Sequence, residues 1–435
     1  MRPIFLNSNP ASPISRSTPI WRLKLHYFSL FAVFGAVTPY LAIYLADIKN
    51  LGAAEIGYIY AAGQVGVLVM PIIMTYLADR YRLVRPLLVT LFCFNIIAMT
   101  ALIGAVGFWA SLFCIALNRL STQPQVALGD GLFFTHQNDP TQPRASFSSV
   151  RVWGTIGFIA PSLIIYAGYH LGGGVQWMPH VTAAFAILGI ANALGLPRRS
   201  NPQPSAQSAV PTLAAARVLL RPHLLFFCLG VGFVVFSNMA FYGFYPLYLT
   251  KQVGVEESWI GLISSIGVGF EIFYVLGLDR LRRRFGFGGL IAIGGAASSF
   301  RLCCLAFLPT PFFAIVFQAF HGLTVIAFMI LPVMYLNSFA ETGFRNSIQG
   351  LYAMIVSGLF AIAGNIAAGI LAEIDLITLY QTSLVVCLFG LCLIAISFYL
   401  RNKTPPDQSP PPPPPVITPS APLPPITTAG LSLNK

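Results

Sequence analysis

Long apolar stretches follow one another along almost the whole chain and predict membrane-spanning helices. A helix needs about 20 apolar residues to cross the hydrocarbon core of a bilayer, and twelve runs of about that length are present. They lie near residues 24–46, 56–78, 84–106, 108–135, 146–170, 178–196, 223–249, 258–278, 287–308, 311–338, 346–372 and 376–400. The pattern predicts an all-α membrane protein with twelve transmembrane helices.

The second half of the chain repeats the pattern of the first half. The stretch that begins at Arg144 aligns with the one that begins at Arg345, an offset of 201 residues. The short loop at residues 78–86 likewise has a counterpart at residues 278–286. Parallel repeats of this kind occur in transporters built from two related halves. We expect two pseudo-symmetric six-helix bundles, and these occupy residues 21–196 and 222–402.

Three polar segments flank and join the predicted bundles. Residues 1–20 lack the apolar centre of a signal peptide and are expected to form a cytoplasmic tail. Residues 197–221 are rich in Pro, Ser and Ala and predict a flexible cytoplasmic linker. Residues 403–435 contain the proline run Pro410–Pro415 and predict a disordered tail, with a ligand for a proline-binding domain as the alternative.

Composition agrees with a membrane protein and orients it. The chain of 435 residues is 56% hydrophobic and only 9% charged, whereas soluble domains are about 25% charged. The net charge of +12 does not indicate a nucleic-acid partner, because the Lys and Arg residues lie in short loops. Apart from Lys49, Lys251 and three arginines within spans, they all lie on one side. This asymmetry places both termini in the cytoplasm, in an inner membrane.

Three ionisable residues interrupt successive apolar runs in the second half. Glu271, Arg301 and His321 are each the only ionisable side chain well inside their run. Charges in the membrane interior are costly, so they usually pair, face a polar cavity and serve transport. The three residues predict a proton-coupled site, with a purely structural buried ion pair as the alternative. We assign the proton to Glu271; His321 either shares this role or only forms neutral hydrogen bonds.

The first half contains a second set of charged residues within its spans. Asp130 and Arg151 each lie about six residues from the same loop, roughly 9 Å deep, so the two side chains are expected to pair. The planar guanidinium of Arg151 suits a carboxylate or paired hydroxyls of a solute. Arg119 lies on the same helix face as Asp130 and is a further candidate for binding. For both arginines, a structural pair is the alternative.

The repeated loops at the cytoplasmic side carry charged residues of a different kind. Asp79, Arg80 and Arg85 lie in the first loop, and Asp279 and Arg280 lie in the second. Charge pairs at these helix ends could hold the two bundles together and gate alternating access. Simple anchoring by the positive-inside rule is the alternative.

These motifs resemble the major facilitator superfamily over residues 21–402. The run from Asp79 to Arg85 is similar to its cytoplasmic signature between helices 2 and 3, although the usual first glycine is absent. The charged residues within the spans, together with Gln318 and Gly322, resemble the lactose-permease-like and phenylpropionate-permease-like proton symporters. This resemblance implies that Glu271 joins Arg301 and His321 in linking solute binding to proton movement.

The same resemblance implies a set of solute-binding residues and shows where this chain departs from the group. The second acid of helix 10 is replaced by Thr324, the acids of helix 7 have no counterpart beyond Ser237 and Asn238, and Phe158 stands for a stacking tryptophan. Lactose is therefore not the expected solute. The solute-binding candidates are Asp130, Arg151, Arg119, Phe158, Asn238 and Gln318.

Together these features predict a proton-coupled symporter that imports a small organic solute such as a sugar, a nucleoside or an aromatic acid. An efflux antiporter is the alternative within transport, and a non-transporting sensor is a further one. A membrane-embedded enzyme is disfavoured because the sequence has no nucleophile–base arrangement, metal-ligand cluster or phosphate loop. We expect no cofactor; the partners are the solute, the proton and membrane lipid, and the protein is expected to be a monomer.

Overall fold

A computed structural model describes residues 19–81, 83–137, 145–196, 213–339 and 345–403. These residues form helices joined by short turns and contain no strand. The predicted Pro-rich tail, most of the linker and almost all of the amino-terminal tail lie outside them. The described end of the linker contains the short helix Leu213–Leu219.

Among the described residues, the first half contains six long helices. They are α1 (Ile20–Val37), α2 (Ala53–Tyr81), α3 (Val84–Gly104), α4 (Gly107–Gln137), α5 (Phe147–His170) and α6 (Met178–Ala193). After α1 the chain turns at Thr38 and Pro39 and continues as the bent extension Leu41–Ile48. Each helix coincides with one of the first six predicted apolar runs.

The second half contains five continuous helical segments. They are α7 (Pro222–Leu247), α8 (Ile260–Phe307), α9 (Pro311–Asn337), α10 (Ile348–Ile374) and α11 (Leu376–Lys403). Two of them change helix type: α9 contains a 3₁₀ turn at Phe317–Phe320 and a π-helical turn at Ile326–Ile330, and α10 contains a π-helical stretch at Ala353–Phe360. Such local changes of helix type inside a span often mark functional positions.

The long helix α8 corrects one prediction. Residues 278–286 were expected to form a loop, but the chain stays helical through Phe285 and breaks only at Gly286. The arginines here are good helix formers, and Gly286 adopts a φ of 65° that glycine tolerates. The two predicted spans are therefore two limbs of α8, residues 260–285 and 287–307.

By length and composition, eight of the described helices can cross a membrane, or nine if the bent pair Ile20–Val37 and Leu41–Ile48 is one span. One of the eight is Glu257–Phe307, which contains both limbs of α8 and has 51 residues. At 1.5 Å per residue it is more than twice as long as a bilayer core is thick. The chain is thus an all-helical multi-pass membrane protein, and the number twelve stays a prediction.

The helices pack in the same pattern in both halves. Helix α1 packs against α5 and α6, and its repeat-related helix α7 packs against α10 and α11. Between the halves, α2 packs against α10, and α5 packs against α8. The first of these crossings is close: a Cβ atom added at Gly57 would lie 2.7 Å from the Cα atom of Gly369.

Polar contacts also join the halves, near the ends that the sequence assigns to the outer side. Lys251 forms an ion pair with Asp47 at 2.9 Å. The hydroxyl of Tyr169 donates to Glu257 at 2.9 Å. The backbone N–H of Ala54 donates to Glu373 at 3.0 Å. We refer to these three contacts as the outer seal.

Candidate functional site

A cavity of about 200 Å³ lies between the two halves. Four of its eleven lining residues are phenylalanine or tyrosine, and hydroxyl, amide and imidazole groups lie among these rings. The first half supplies Thr38, Pro39 and Phe158, and the second half supplies Phe241, Tyr242, Tyr245, Pro246, Ser264, Val268, Gln318 and His321. Three of the predicted site residues, Phe158, Gln318 and His321, therefore line one cavity.

Irregular backbone shapes two walls of this cavity. On one side α1 ends at Val37, and the following segment is bent by 42°. Pro39 lies in this break, where its ring cannot continue a regular helix. On the other side, the 3₁₀ turn of α9 presents Gln318 and leads directly into His321. Discontinuous helices at mid-membrane are typical of transporter binding sites.

Arg301, on the second limb of α8, lies behind the cavity wall and is fully buried. Its guanidinium carbon lies 3.8 Å from the ring centre of Phe241, and its Nη2 donates to Asn238 Oδ1 at 2.5 Å. Its Nη1 lies 3.5 Å from His321 Nδ1. Among the described residues, no carboxylate lies within 4.0 Å of this guanidinium.

Glu271 lies on the opposite side of the same imidazole. Its Oε2 is 4.0 Å from His321 Nε2, and its side chain is 34% exposed compared with 12% for His321. The helices approach closely here because Gly322 has no side chain: a Cβ atom there would lie 2.8 Å from the Cα atom of Glu271. A carboxyl group, an imidazole and a guanidinium thus stand in a row beside the cavity.

The geometry shows which members of this group contact one another. Glu271 and Arg301 do not pair directly, because the ring of His321 stands between them. Asn238 does not offer its amide to the cavity. Its Nδ2 donates to Val234 O at 2.8 Å, and its Oδ1 accepts from Arg301 and, at 3.3 Å, from Ser298.

The expected ion pair between Asp130 and Arg151 is also not formed. Asp130 accepts a hydrogen bond from the hydroxyl of Tyr27, and the guanidinium of Arg151 lies 4.0 Å from the ring centre of Phe31. Tyr27 and Phe31 are four residues apart on α1 and so share one face of it. Each charged group therefore has an aromatic partner of its own, although Arg151 remains in electrostatic contact with both Asp130 and Glu271.

Arg119 lies apart from the cavity. Its side-chain stem packs against α2, where a Cβ atom added at Gly63 would lie 3.0 Å from Arg119 Cγ. Tyr60 is its electrostatic neighbour. No carboxylate of the described residues lies within 4.0 Å of it. The predicted contact of Arg119 with a solute stays a prediction.

The predicted gating residues make no contact between the halves in the part of the chain that the structure describes. Asp279 pairs with Arg282 of its own helix at 3.5 Å. Arg80 and Arg280 are exposed, and Arg85 is partly buried. Asp79 lies within α2, but its side chain lies outside the described residues. Polar contacts that do bridge the halves are those of the outer seal and the hydrogen bond from Ser265 Oγ to Ser162 Oγ at 3.4 Å.

Several residues that complete the site escaped the sequence analysis. Tyr27, Phe31 and Phe241 hold the charged groups but are ordinary apolar-span residues in the sequence, which contains 35 phenylalanines. Thr38 and Pro39 gave a usable signal, because a proline within the apolar run at residues 24–46 indicates a break in the helix. Ser264 gave none.

Comparison with known proteins identifies relatives over most of the chain. Residues 20–382 match the MFS_1 like family. A maltose permease of Geobacillus stearothermophilus is 24% identical over 373 residues, covering 85% of this chain and 91% of the relative. The nucleoside permease NupG of Escherichia coli is 24% identical over 81% of this chain and 87% of its own length.

Two further similarities extend this set. The xanthosine permease of Escherichia coli is 23% identical over 88% of this chain and 95% of its own length. A crystal structure of the nucleoside transporter NupG superimposes with a TM-score of 0.76 at 20% identity, covering 88% of this chain and 99% of that one. At this level of identity the superposition establishes a shared fold.

Proposed function

The chain belongs to the MFS_1 like family, and we propose that it couples the movement of a small organic solute to the movement of a proton by alternating access. The relatives are permeases that carry small solutes, and this chain is accordingly a transporter and not an enzyme. Membership of the family supports transport of a small solute; proton coupling and symport are our proposal.

The row of Glu271, His321 and Arg301 beside the cavity carries the proposal of proton coupling. Ionisable groups in a membrane interior are costly and are retained where they serve transport. Here one carboxyl group lies 4.0 Å from an imidazole that lines the cavity. A proton on Glu271 would therefore change the charge next to a bound solute. Protonation of Glu271 and binding of the solute would then influence each other.

Nucleosides are the solutes that the cavity and the relatives favour together. Two of the relatives are named as nucleoside or xanthosine permeases and one as a maltose permease. The cavity offers Phe158, Phe241 and Tyr242 as ring faces for a planar base, while Thr38 and Gln318 can bond hydroxyl groups. Sugars and aromatic acids each match only part of this lining.

The finer architecture is part of the same proposal. We place twelve spans in two six-helix bundles of an inner membrane, with both termini in the cytoplasm and a monomer as the working unit. In this orientation the outer seal closes the cavity toward the outside. Opening would separate Asp47 from Lys251, and the cytoplasmic charges at Asp79, Arg80, Arg85, Asp279 and Arg280 would then meet and close the inner side.

The test is uptake into proteoliposomes with an imposed proton gradient. With acid outside, labelled uridine or xanthosine should accumulate above its equilibrium level, and a protonophore should abolish the excess. Labelled maltose serves as the competing solute class. Uptake that only equilibrates, whatever the gradient, would contradict proton-coupled symport.

An efflux antiporter is the second candidate, and the same vesicles separate it from a symporter. In an antiporter the proton and the solute move in opposite directions, so accumulation would require acid inside the vesicle. Binding of solute without any flux in either gradient would favour a sensor.

A further inference from the structure

His321 stands between a cation that is held in place and a carboxyl group. Arg301 Nη1 lies 3.5 Å from its Nδ1, and Glu271 Oε2 lies 4.0 Å from its Nε2. A further titratable neighbour is Tyr242 on α7, whose ring centre is 5.9 Å from that of His321, and Tyr245 lines the same cavity. From α5, the charge of Arg151 reaches Glu271. No other ionic contact to His321 occurs in the described residues.

Arg301 has no freedom to turn away from the imidazole. Its Nη2 is bonded to Asn238 Oδ1, and its guanidinium plane covers the ring of Phe241. The amide of Asn238 is itself held, since Nδ2 donates to Val234 O and Oδ1 also accepts from Ser298. Because the group is fully buried, water does not compete for these contacts.

The chemistry of the two groups then decides which ring nitrogen of His321 carries the proton. A guanidinium has five N–H donors and no acceptor, and it stays charged. A hydrogen bond from Nη1 therefore needs a lone pair on Nδ1. A neutral imidazole has one N–H and one lone pair, so its proton must lie on Nε2, the nitrogen that faces Glu271.

We propose that Arg301 is a positioning residue that holds His321 as the neutral Nε2–H tautomer and so leaves Glu271 as the only proton carrier of the site. This inference rests on the proton coupling proposed above. A second proton on His321 would set an Nδ1–H donor against the N–H groups of Arg301 and place two like charges about 3.5 Å apart. The imidazole is thus fixed as a donor toward the carboxyl group.

A fixed donor gives His321 a defined task in the cycle. When Glu271 has lost its proton, the Nε2–H group can bond the carboxylate after a small side-chain movement from the present 4.0 Å. When Glu271 is protonated, this bond is weaker, and the imidazole is free to bond a solute in the cavity that it lines. The proton and the solute would thereby use the same N–H group in turn.

Nitrogen NMR on the full-length protein tests this directly. The protein is labelled with ¹⁵N-histidine and purified in detergent, and the signals of His321 are assigned by their loss in His321→Asn. Between about pH 5 and 8, where a free histidine changes its charge, His321 should keep one protonated nitrogen, and that nitrogen should be Nε2. A proton on Nδ1, or uptake of a second proton in this range, would overturn the proposal.

The role of Arg301 is tested by Arg301→Gln, with Arg401→Gln at the cytoplasmic end of α11 as the control. In Arg301→Gln, His321 should take up a second proton within the same pH range or populate both tautomers; in the control it should not change. A folded Arg301→Gln protein whose His321 spectrum matches the wild type would contradict the role. Should Arg301→Gln not fold, the wild-type spectrum still decides the tautomer.

The NMR spectrum tests the tautomer of His321 and the transport assay tests proton coupling, so either proposal can be contradicted while the other stands. A protein with the expected His321 signals but without proton-driven accumulation would contradict the proposed function and leave the tautomer assignment in place. Proton-driven accumulation together with a titrating His321 would uphold the function and remove Glu271 as the sole carrier.

Discussion

The two halves of the molecule place their buried charges in opposite ways. In the second half, Glu271, His321, Arg301 and Asn238 form one connected row across three helices, α7, α8 and α9. In the first half, Asp130 and Arg151 stay apart, and each is held by a separate aromatic residue of α1. The two halves therefore share a fold but differ in how their buried charges are arranged.

In the function proposed above, this difference would give the two halves different tasks. A connected row transmits a change of charge from one group to the next, which suits a proton site. Separate groups with aromatic partners keep unused hydrogen-bonding capacity, since a ring face occupies none of the five N–H donors of Arg151. In the function proposed above, Arg151 of the first half would keep its N–H donors for a solute, and the row in the second half would respond to a proton.

The largest effect is expected from removing the proton site of the second half. Glu271→Gln has nearly the same shape but cannot exchange a proton, so proton-driven accumulation should be abolished while solute exchange remains measurable. Uptake and exchange of labelled nucleoside in proteoliposomes provide both values. Glu256→Gln, at an exposed carboxylate, is the control. Active uptake that is unchanged in Glu271→Gln would reject the assignment.

Breaking the row at its other end should reduce stability. Asn238→Leu removes the acceptor of a buried guanidinium, and a buried group left without its partner costs about 1–3 kcal/mol. A drop of several degrees in the thermal unfolding temperature is expected.

Asn365→Leu is a matched control for this change. Both asparagines are 3% exposed, and both donate Nδ2 to the carbonyl four residues earlier at 2.8 Å. Only Asn238 also accepts from an arginine. Equal losses in the two variants would show that the bond to Arg301 contributes little.

A smaller effect is expected in the first half, from Arg151→Lys. The ammonium group loses both the planar contact with Phe31 and the paired donors for a solute. A hydrogen bond contributes about 0.5–1.5 kcal/mol net, so the loss of one of the paired donors to the solute corresponds to about 2- to 13-fold weaker binding. Equilibrium binding of labelled nucleoside measures it, with Arg282→Lys as the control. Wild-type affinity would argue against a direct contact between Arg151 and the solute.

The smallest effect is expected from Tyr27→Phe. This change removes the hydroxyl that donates to Asp130, but Asp130 is only partly buried and water can replace the donor. We expect a loss of about 1 kcal/mol and unaltered proton coupling, measured by thermal unfolding and by accumulation. Tyr58→Phe, at an exposed position of α2, is the control. Loss of proton-driven accumulation in Tyr27→Phe would show that proton coupling also depends on the first half, and would contradict the contrast between the halves.

The helices and the location of the charges could be predicted from the sequence for a simple physical reason. An apolar run of spanning length has few alternatives to a helix in lipid, and an ionisable residue inside such a run stands out at once. Glu271, Arg301 and His321 were found in this way, and the structure places them in one row.

The partners of those charges could not be predicted in the same way. Whether Arg151 meets Asp130 or the ring of Phe31 depends on side-chain directions across three helices, and a phenylalanine in a span carries no sign of such a contact. Depth alone placed Asp130 and Arg151 at the same level but said nothing about Tyr27. Helix continuity through residues 278–285 was missed because an arginine-rich polar segment favours a loop and a helix equally well.

The ion pair of the outer seal has a consequence for the ancestry of the fold. Asp47 and Lys251 occupy matching places in two π-helical turns, Tyr44–Ile48 and Tyr248–Gln252, one from each repeat. Two identical copies of one ancestral unit, facing each other about a twofold axis, would bring like charge against like at this point. Opposite charges make the unlike partners complementary and the like partners repulsive. This contact therefore favours the pairing of the two different repeats over the pairing of either repeat with a copy of itself.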